Sequence, residues 1–165
     1  MKRLEIDYSL CTGCRLCEIA CSLKKEGTIF PEVSRIRIHQ FHQGLVEIPA
    51  VCAVCSDCPS HAACPPKTQA ISRDSGTMAL KVDETKCLGM KCGRCAKACR
   101  LQSAISFHPQ SGKALVCDVC DGDPECVKVC PTGALKYHGG STTDGRHVAL
   151  PIEVMARLVG GRLGL

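Results

Sequence analysis

The chain contains no tryptophan, and only two tyrosines and three phenylalanines among its 165 residues. A core of ordinary composition uses more large apolar side chains than this. Something other than apolar packing must therefore hold the fold, either disulfides or inorganic clusters. A long apolar run is also missing, which argues against a membrane span. The opening stretch Met1-Lys2-Arg3-Leu4-Glu5-Ile6-Asp7-Tyr8 lacks both the apolar segment of a signal peptide and a twin arginine. These absences predict a cytoplasmic protein, in a compartment where structural disulfides are rare.

Against them stand 16 cysteines. In a reducing compartment they read as metal ligands, and they fall into four groups. The first is Cys11-Thr12-Gly13-Cys14-Arg15-Leu16-Cys17-Glu18-Ile19-Ala20-Cys21. Three cysteines two residues apart, with a fourth after three more, form the ligand run of a bacterial [4Fe–4S] site, without the usual closing proline. The first three thiolates sit on a tight loop, where Gly13 eases the turn. The fourth lies a helical turn further on and, in two-cluster ferredoxins, ligates the other cluster. One such run predicts a partner run. Three more follow: Cys52, Cys55, Cys58 and Cys64; Cys87, Cys92, Cys95 and Cys99; and Cys117, Cys120, Cys126 and Cys130. The Cys64-Pro65 and Cys130-Pro131 endings match ferredoxin runs.

Three spacings depart from the simple run. Four residues separate Cys87 from Cys92, a spacing also used by plant-type [2Fe–2S] sites, although Cys99 follows in ferredoxin register. The Cys120–Cys126 loop is long. Five residues separate Cys58 from Cys64, and Ser60 stands where regular spacing would put the third ligand. His61, inside that loop, is the alternative to Cys58, and a surface position is the simpler reading of it. Four-cysteine zinc sites, which would make the chain an interaction module, are the competing metal reading. Cysteines packed two apart suit a cubane better than a tetrahedral ion.

The formal charge of +5 does not imply nucleic-acid binding. Four cubanes with thiolate ligands would add roughly −8, leaving about −3. No catalytic constellation emerges. His39, His42, His108, His138 and His147 lack partners at catalytic spacing, and Gly160-Gly161 is not framed as a phosphate loop. Asp118, Asp121, Asp123 and Glu125 read as a solvated loop.

The segments between groups repeat. A strand over 4–7 enters the first loop, and the helix carrying Cys21 is expected to end near Gly27. Alternation over Arg35–His39, a Gln43-Gly44 turn and Leu45–Ile48 predict a hairpin that covers one side of the clusters. Two further hairpins are read from 69–72 with 79–82, and from 103–106 with 114–116. The repetition predicts an α+β fold of duplicated bacterial-ferredoxin units, with short hairpins and helices around the clusters. Residues 1–137 form this tandem domain, with a 22–51 β-hairpin insertion. Residues 138–165 form a linker (Gly139–Gly145) and a helix from Pro151. Ile152, Met155, Ala156, Val159 and Leu163 share one face of that helix, which packs on its own domain or docks a partner.

The order and spacing of the four groups resemble the four-cluster ferredoxin subunits of molybdopterin-type oxidoreductases. That iron–sulfur family serves dimethyl sulfoxide reductase, formate dehydrogenase and hydrogenase electron carriers. The resemblance covers residues 1–137. With the Phe30-Pro31 to Arg35-Ile36-Arg37-Ile38 segment, the chain is most similar to the small ferredoxin subunit of tungsten enzymes, bacterial aldehyde oxidoreductase and benzoyl-CoA reductase. The resemblance implies nested pairing of the groups and four [4Fe–4S] clusters. Cys11, Cys14 and Cys17 would share one with Cys130. Cys117, Cys120 and Cys126 would share one with Cys21. Cys52, Cys55 and Cys58 would share one with Cys99. Cys87, Cys92 and Cys95 would share one with Cys64. It also implies a non-catalytic subunit that passes electrons between a tungsten- or molybdenum-pterin catalytic subunit and a flavin subunit or a soluble ferredoxin or NAD-linked carrier. A further copy of this chain is another partner, and a free polyferredoxin is the alternative role.

Overall fold

The computed structural model describes residues 2–139, 152–162 and 164. The expected linker beyond Gly139, and Pro151 with Leu163, lie outside them. In order, the elements are β1 (Lys2–Ile6), α1 (Leu16–Glu26), β2 (Ile36–Phe41), β3 (Val46–Val51), α2 (Pro59–Ala62), β4 (Ile71–Arg73) and β5 (Leu80–Val82). Then come α3 (Arg94–Ala98), β6 (Ser106–Phe107), β7 (Ala114–Leu115), α4 (Glu125–Lys128), β8 (Leu135–Gly139) and α5 (Ile152–Arg162). The strands form two-stranded antiparallel sheets: β1–β8, β2–β3, β4–β5 and β6–β7. This is a small α+β fold of short elements. Among the described residues no helix is long and apolar enough to cross a membrane.

The first and last strands of the cysteine-bearing region meet each other. Leu4 lies opposite Tyr137 and Ile6 opposite Leu135. Sequence alone did not give that pairing, because the two strands lie at opposite ends of the cysteine-bearing region and no local pattern links them. Leu4, Ile6 and Leu135 are buried together with Cys17, Cys21, Cys117 and Cys126. Cysteines thus fill the core positions that aromatics would occupy elsewhere.

Helix α1 starts within the first cysteine loop and ends where its sequence stops it. Gly27 takes the left-handed conformation (φ 70°), and its N–H donates to the Leu23 carbonyl at 2.9 Å. Lys24 and Lys25 occupy the last turn, where cations suit the helix dipole.

The β2–β3 hairpin is longer than its sequence pattern suggested. Strand β2 alternates, with Ile36 and Ile38 inside. Strand β3 is buried throughout, because both its faces are covered. Val51 joins Ile36 and Ile38 on the cysteine side, while Val46, Ile48 and Ala50 pack with Ala156 and Val159 of α5. The described apolar face of α5 therefore packs on its own chain. The side chains of Ile152 and Met155 lie outside the description. The β6–β7 hairpin is shorter than expected: it pairs only Ser106 with Leu115 and Phe107 with Ala114.

One close approach ties the third cysteine loop to the β6–β7 turn. Gly89 has φ +67°, and a Cβ built on it would lie 2.3 Å from the Gly112 carbonyl oxygen. That oxygen accepts the Met90 N–H at 2.8 Å. Gly89→Ala combines backbone strain with a backbone clash, and is expected to lower stability by about 2 kcal/mol or more. Gly161→Ala, in α5 with nothing within 4 Å, should be neutral or stabilise by up to about 1 kcal/mol. Anaerobic thermal melts of both variants check this; equal midpoints would contradict it.

Candidate metal centre

The four cysteine groups share one local geometry. The residue two positions after the first cysteine of each has a left-handed backbone: Gly13 (φ 68°), Val54 (φ 49°), Gly89 (φ 67°) and Val119 (φ 52°). In all four, that residue's N–H is turned toward the sulfur of the first cysteine, and in two it hydrogen-bonds it. Gly89 N–H reaches Cys87 Sγ at 3.3 Å and Val119 N–H reaches Cys117 Sγ at 3.4 Å. The Gly13 and Val54 amides act on Cys11 and Cys52 from the matching position, each favouring the thiolate. Glycine accepts this conformation freely, but a β-branched valine does not. Each valine costs on the order of 1–3 kcal/mol, and such strain clusters at functional sites.

The turns gather the thiols around cavities. Cys11, Cys14, Cys17 and Cys130 line one, of about 340 Å³ including its open mouth. Cys21, Cys117, Cys120 and Cys126 line a second, of about 320 Å³. Cys64, Cys87, Cys92 and Cys95 line a third, also of about 320 Å³. The remaining four are electrostatic neighbours: Cys52 feels Cys58, Cys99 and Cys55, and Cys55 feels Cys58 and Cys99. His61 is exposed, whereas Cys58 is half-buried.

Short helices link the sets. Cys17 and Cys21 stand one turn apart on α1, and so face neighbouring cavities. Helix α4 carries Cys126 and leads to Cys130, and α3 carries Cys95 and leads to Cys99. Cys117 also neighbours Cys52. The sets therefore succeed one another: Cys11/14/17/130, then Cys21/117/120/126, then Cys52/55/58/99, then Cys64/87/92/95. The irregular spacings are absorbed locally. A 3₁₀ turn over Gly89–Lys91 takes up the Cys87–Cys92 spacing, and α2 takes up Cys58–Cys64. Left-handed residues at Cys120 and Asp121 begin the long fourth loop.

The thiols are held under electrostatic stress. Burial pushes Cys17 and Cys52 up to about 12, with neighbouring negative groups adding to it and an amide hydrogen opposing it. Burial and neighbouring thiols raise Cys117 and Cys126 as well. Cys130 is lowered. Burial pushes it up, but the Leu135 amide, the Thr132 hydroxyl and the Thr132 and Ala134 amides together outweigh this. Anionic thiolates could coexist here only if cations took their charge. Among the described residues no three His, Cys, Asp or Glu converge tightly enough for a single ion. Thiols around a cavity, with amides aimed at sulfur, fit an iron–sulfur cluster better than a lone zinc.

Several contributors were not legible in the sequence. Ile38 and Pro49 line the first cavity while Ile36 and Val51 line the second, so one hairpin roofs both. Glu18, only 4% exposed, accepts the Ile38 N–H at 2.8 Å and ties α1 to β2. Glu47, 8% exposed, accepts from Gln40 Nε2 at 2.7 Å and packs against Gly13, where a Cβ would lie 2.5 Å from its carboxyl carbon. Arg35 N–H donates to Cys21 Sγ at 3.3 Å. Arg73 braces the second loop through the Cys55 and Ser56 carbonyls, at 2.7 and 3.0 Å. A lone glutamate between apolar neighbours, as Glu18 and Glu47 are, gives no sequence signal that it is buried. Asp118 is better explained than by solvation: it lies 2.6 Å from Lys25 Nζ and its carboxylate accepts the Cys120 N–H.

No family model matches the chain. It is 44% identical over 121 residues to the aliphatic sulfonate oxidoreductase polyferredoxin-like subunit of Pyrococcus furiosus, covering 73% of this chain and 66% of that protein. Two further relatives are much longer, and the chain spans less than a third of each. It is 32% identical over 147 residues to the thiosulfate reductase electron transfer subunit PhsB of Salmonella typhi, covering 79% of this chain and 72% of that one. It is 30% identical over 151 residues to the electron transport protein HydN of Escherichia coli, covering 78% and 83%. Among solved structures, the active site complex BamBC of benzoyl coenzyme A reductase aligns over 98% of this chain and 90% of that chain, with a TM-score of 0.49 at 24% identity.

Glu18 separates hydrogen bonding from charge. Glu18→Leu leaves the buried Ile38 N–H without an acceptor and should cost about 2 kcal/mol. Glu18→Gln keeps an acceptor and should cost much less. Anaerobic melts of both variants check this; equal losses would mean that the charge, not the hydrogen bond, matters.

Proposed function

We propose, from the premise that this chain belongs to the family of iron–sulfur electron-transfer subunits of oxidoreductases, that it relays single electrons through four [4Fe–4S] clusters. The four clusters take the four cysteine sets as ligands, with Cys58 rather than His61 as a ligand in the second. The observation that carries this reading is the fourfold repeat of the N–H···S turn, together with the helices that join one cysteine set to the next. A bound cluster would supply the one-electron redox chemistry. The chain supplies thiol ligands, amide donors to sulfur and an apolar roof, the features by which a protein sets cluster potential. Duplicated ferredoxin units account for the repeat.

Substrate chemistry lies on another polypeptide, because among the described residues no catalytic constellation accompanies the cysteines. The partner is a tungsten- or molybdenum-pterin subunit, such as an aldehyde oxidoreductase. A flavin subunit or a soluble carrier stands at the other end of the relay, and the complex is cytoplasmic. This chain is not itself catalytic.

Elemental analysis of the protein purified anaerobically from its source tests the reading. About 16 irons per chain are expected, with tungsten or molybdenum co-eluting. Iron without either metal would point to a free polyferredoxin, and zinc in place of iron would sink the reading.

Iron removal should depend on pH in one direction. Burial raises the proton affinity of the Cys17 and Cys52 thiols, so protons compete with iron there increasingly as pH falls. An anaerobic chelator is expected to extract iron faster at about pH 6 than at about pH 8, followed by loss of visible absorbance. The opposite order would contradict thiolate ligation.

A further inference from the structure

The loop bearing Cys87, Cys92 and Cys95 differs in charge from the other three. From Lys86 to Arg100 it carries Lys86, Lys91, Arg94, Lys97 and Arg100, and no acidic residue. The fourth group instead carries Asp118, Asp121, Asp123 and Glu125, and these are neutralised within the chain by Lys25, Lys81 and Lys128. Around the third group, no described carboxylate pairs with Lys91, Arg94 or Lys97. Lys86 meets Asp83 at 3.0 Å and Arg100 meets Asp57 at 3.8 Å, both at exposed positions.

Within this cationic rim stand two exposed apolar side chains, Leu88 (58%) and Met90 (62%). The surface is preformed. Met90 N–H is bonded to the Gly112 carbonyl at 2.8 Å, and Lys113 Nζ donates to the Cys87 carbonyl at 2.6 Å. Leu88 and Arg94 also line the cavity of Cys64, Cys87, Cys92 and Cys95. A molecule seated on Leu88 would thus be one side chain from the thiols, at the last set in the succession. No aromatic residue lies between Cys87 and Arg100 to stack on a base, which argues for a protein rather than a nucleic acid.

We propose that this face docks an acidic protein that carries single electrons. An apolar centre within a cationic rim fits a small carrier with carboxylates around its own redox group. The inference rests on the relay reading and names the end at which the soluble carrier docks. In the step itself, one electron leaves the reduced carrier and enters the chain behind Leu88; no bond forms or breaks. The lysines act on the encounter, where opposite charge raises association rates by 10-fold to 10³-fold.

The probe is a strongly acidic two-cluster bacterial ferredoxin, reduced and mixed anaerobically with the whole protein in a stopped-flow spectrometer. Reduced methyl viologen, a small cation, is the second donor. The ferredoxin rate is expected to fall roughly tenfold between about 50 and about 500 mM NaCl. Lys91→Glu with Lys97→Glu should lower the ferredoxin-to-viologen rate ratio roughly tenfold. Lys136→Glu with Arg157→Glu removes the same charge from exposed positions elsewhere, and should change the ratio less than about twofold. A wild-type rate indifferent to salt, or equal losses in both double variants, overturns the docking proposal while viologen reduction leaves the relay standing. Salt indifference combined with retention of a labelled oligonucleotide would reassign the face to nucleic acid. Failure to accept electrons from viologen would sink the relay reading and this proposal together.

Discussion

The amide hydrogen aimed at the first sulfur of each cysteine group is the interaction on which the rest of the structure depends. To aim it, the backbone two residues later must turn into the left-handed region, which it does at Gly13, Val54, Gly89 and Val119. That turn folds the loop so that the next cysteines converge instead of following the chain away. Each loop then hands its last cysteine, along or just beyond a short helix, to a neighbouring set. Half of the strands are too short to impose this order. The β6–β7 sheet has two residues per strand, and the β4–β5 sheet three. The loops govern the sheets, which reverses the usual relation between scaffold and site.

The same constraint explains the unusual core. Cys17, Cys21, Cys52, Cys117 and Cys126 occupy positions where a domain of this size would place leucine or phenylalanine. Buried thiols are weaker space-fillers, and mutual repulsion of their anions would make them unstable neighbours. On the proposed reading, metal binding compensates and becomes part of the folding free energy. The charge distribution agrees. The basic residues that line the second cavity, Lys25 and Arg35, lie against Asp118 and Glu26 at 2.6 and 2.7 Å. These pairs pin α1 to the neighbouring loops instead of offering free cations.

The cysteine groups, the helix stopping at Gly27 and the positions of the hairpins were legible in the sequence, because each rests on residues a few positions apart. What escaped was of two kinds. The β1–β8 pairing and the burial of both faces of β3 depend on contacts across the whole chain. No local period announces them, and Val46–Val51 reads as half-buried until Ala156 and Val159 are placed on it. The other kind is local conflict. Val54 and Val119 have the wrong side chain for their backbone, so intrinsic preference pointed away from the turn they adopt. Reading the four loops against one another would have found them: glycine stands two places after Cys11 and Cys87, and valine at the matching places after Cys52 and Cys117.

The insertion and the C-terminal helix complete the same logic. Strand β3 alternates between two surroundings: Pro49 and Val51 line the first two cavities, and Val46, Ile48 and Ala50 meet α5. Each face would expose an apolar stripe if its cover were lost. The helix therefore seals the roof from outside while the hairpin seals the cavities from within. At the opposite end the third loop has no such cover, and Leu88 and Met90 meet solvent beside the thiols. The cover over the first set is one-sided too, since Cys14 is exposed and Leu16 beside it is 42% exposed. The hairpin and helix seal the flank of the succession of sets, and its two terminal sets both reach the surface.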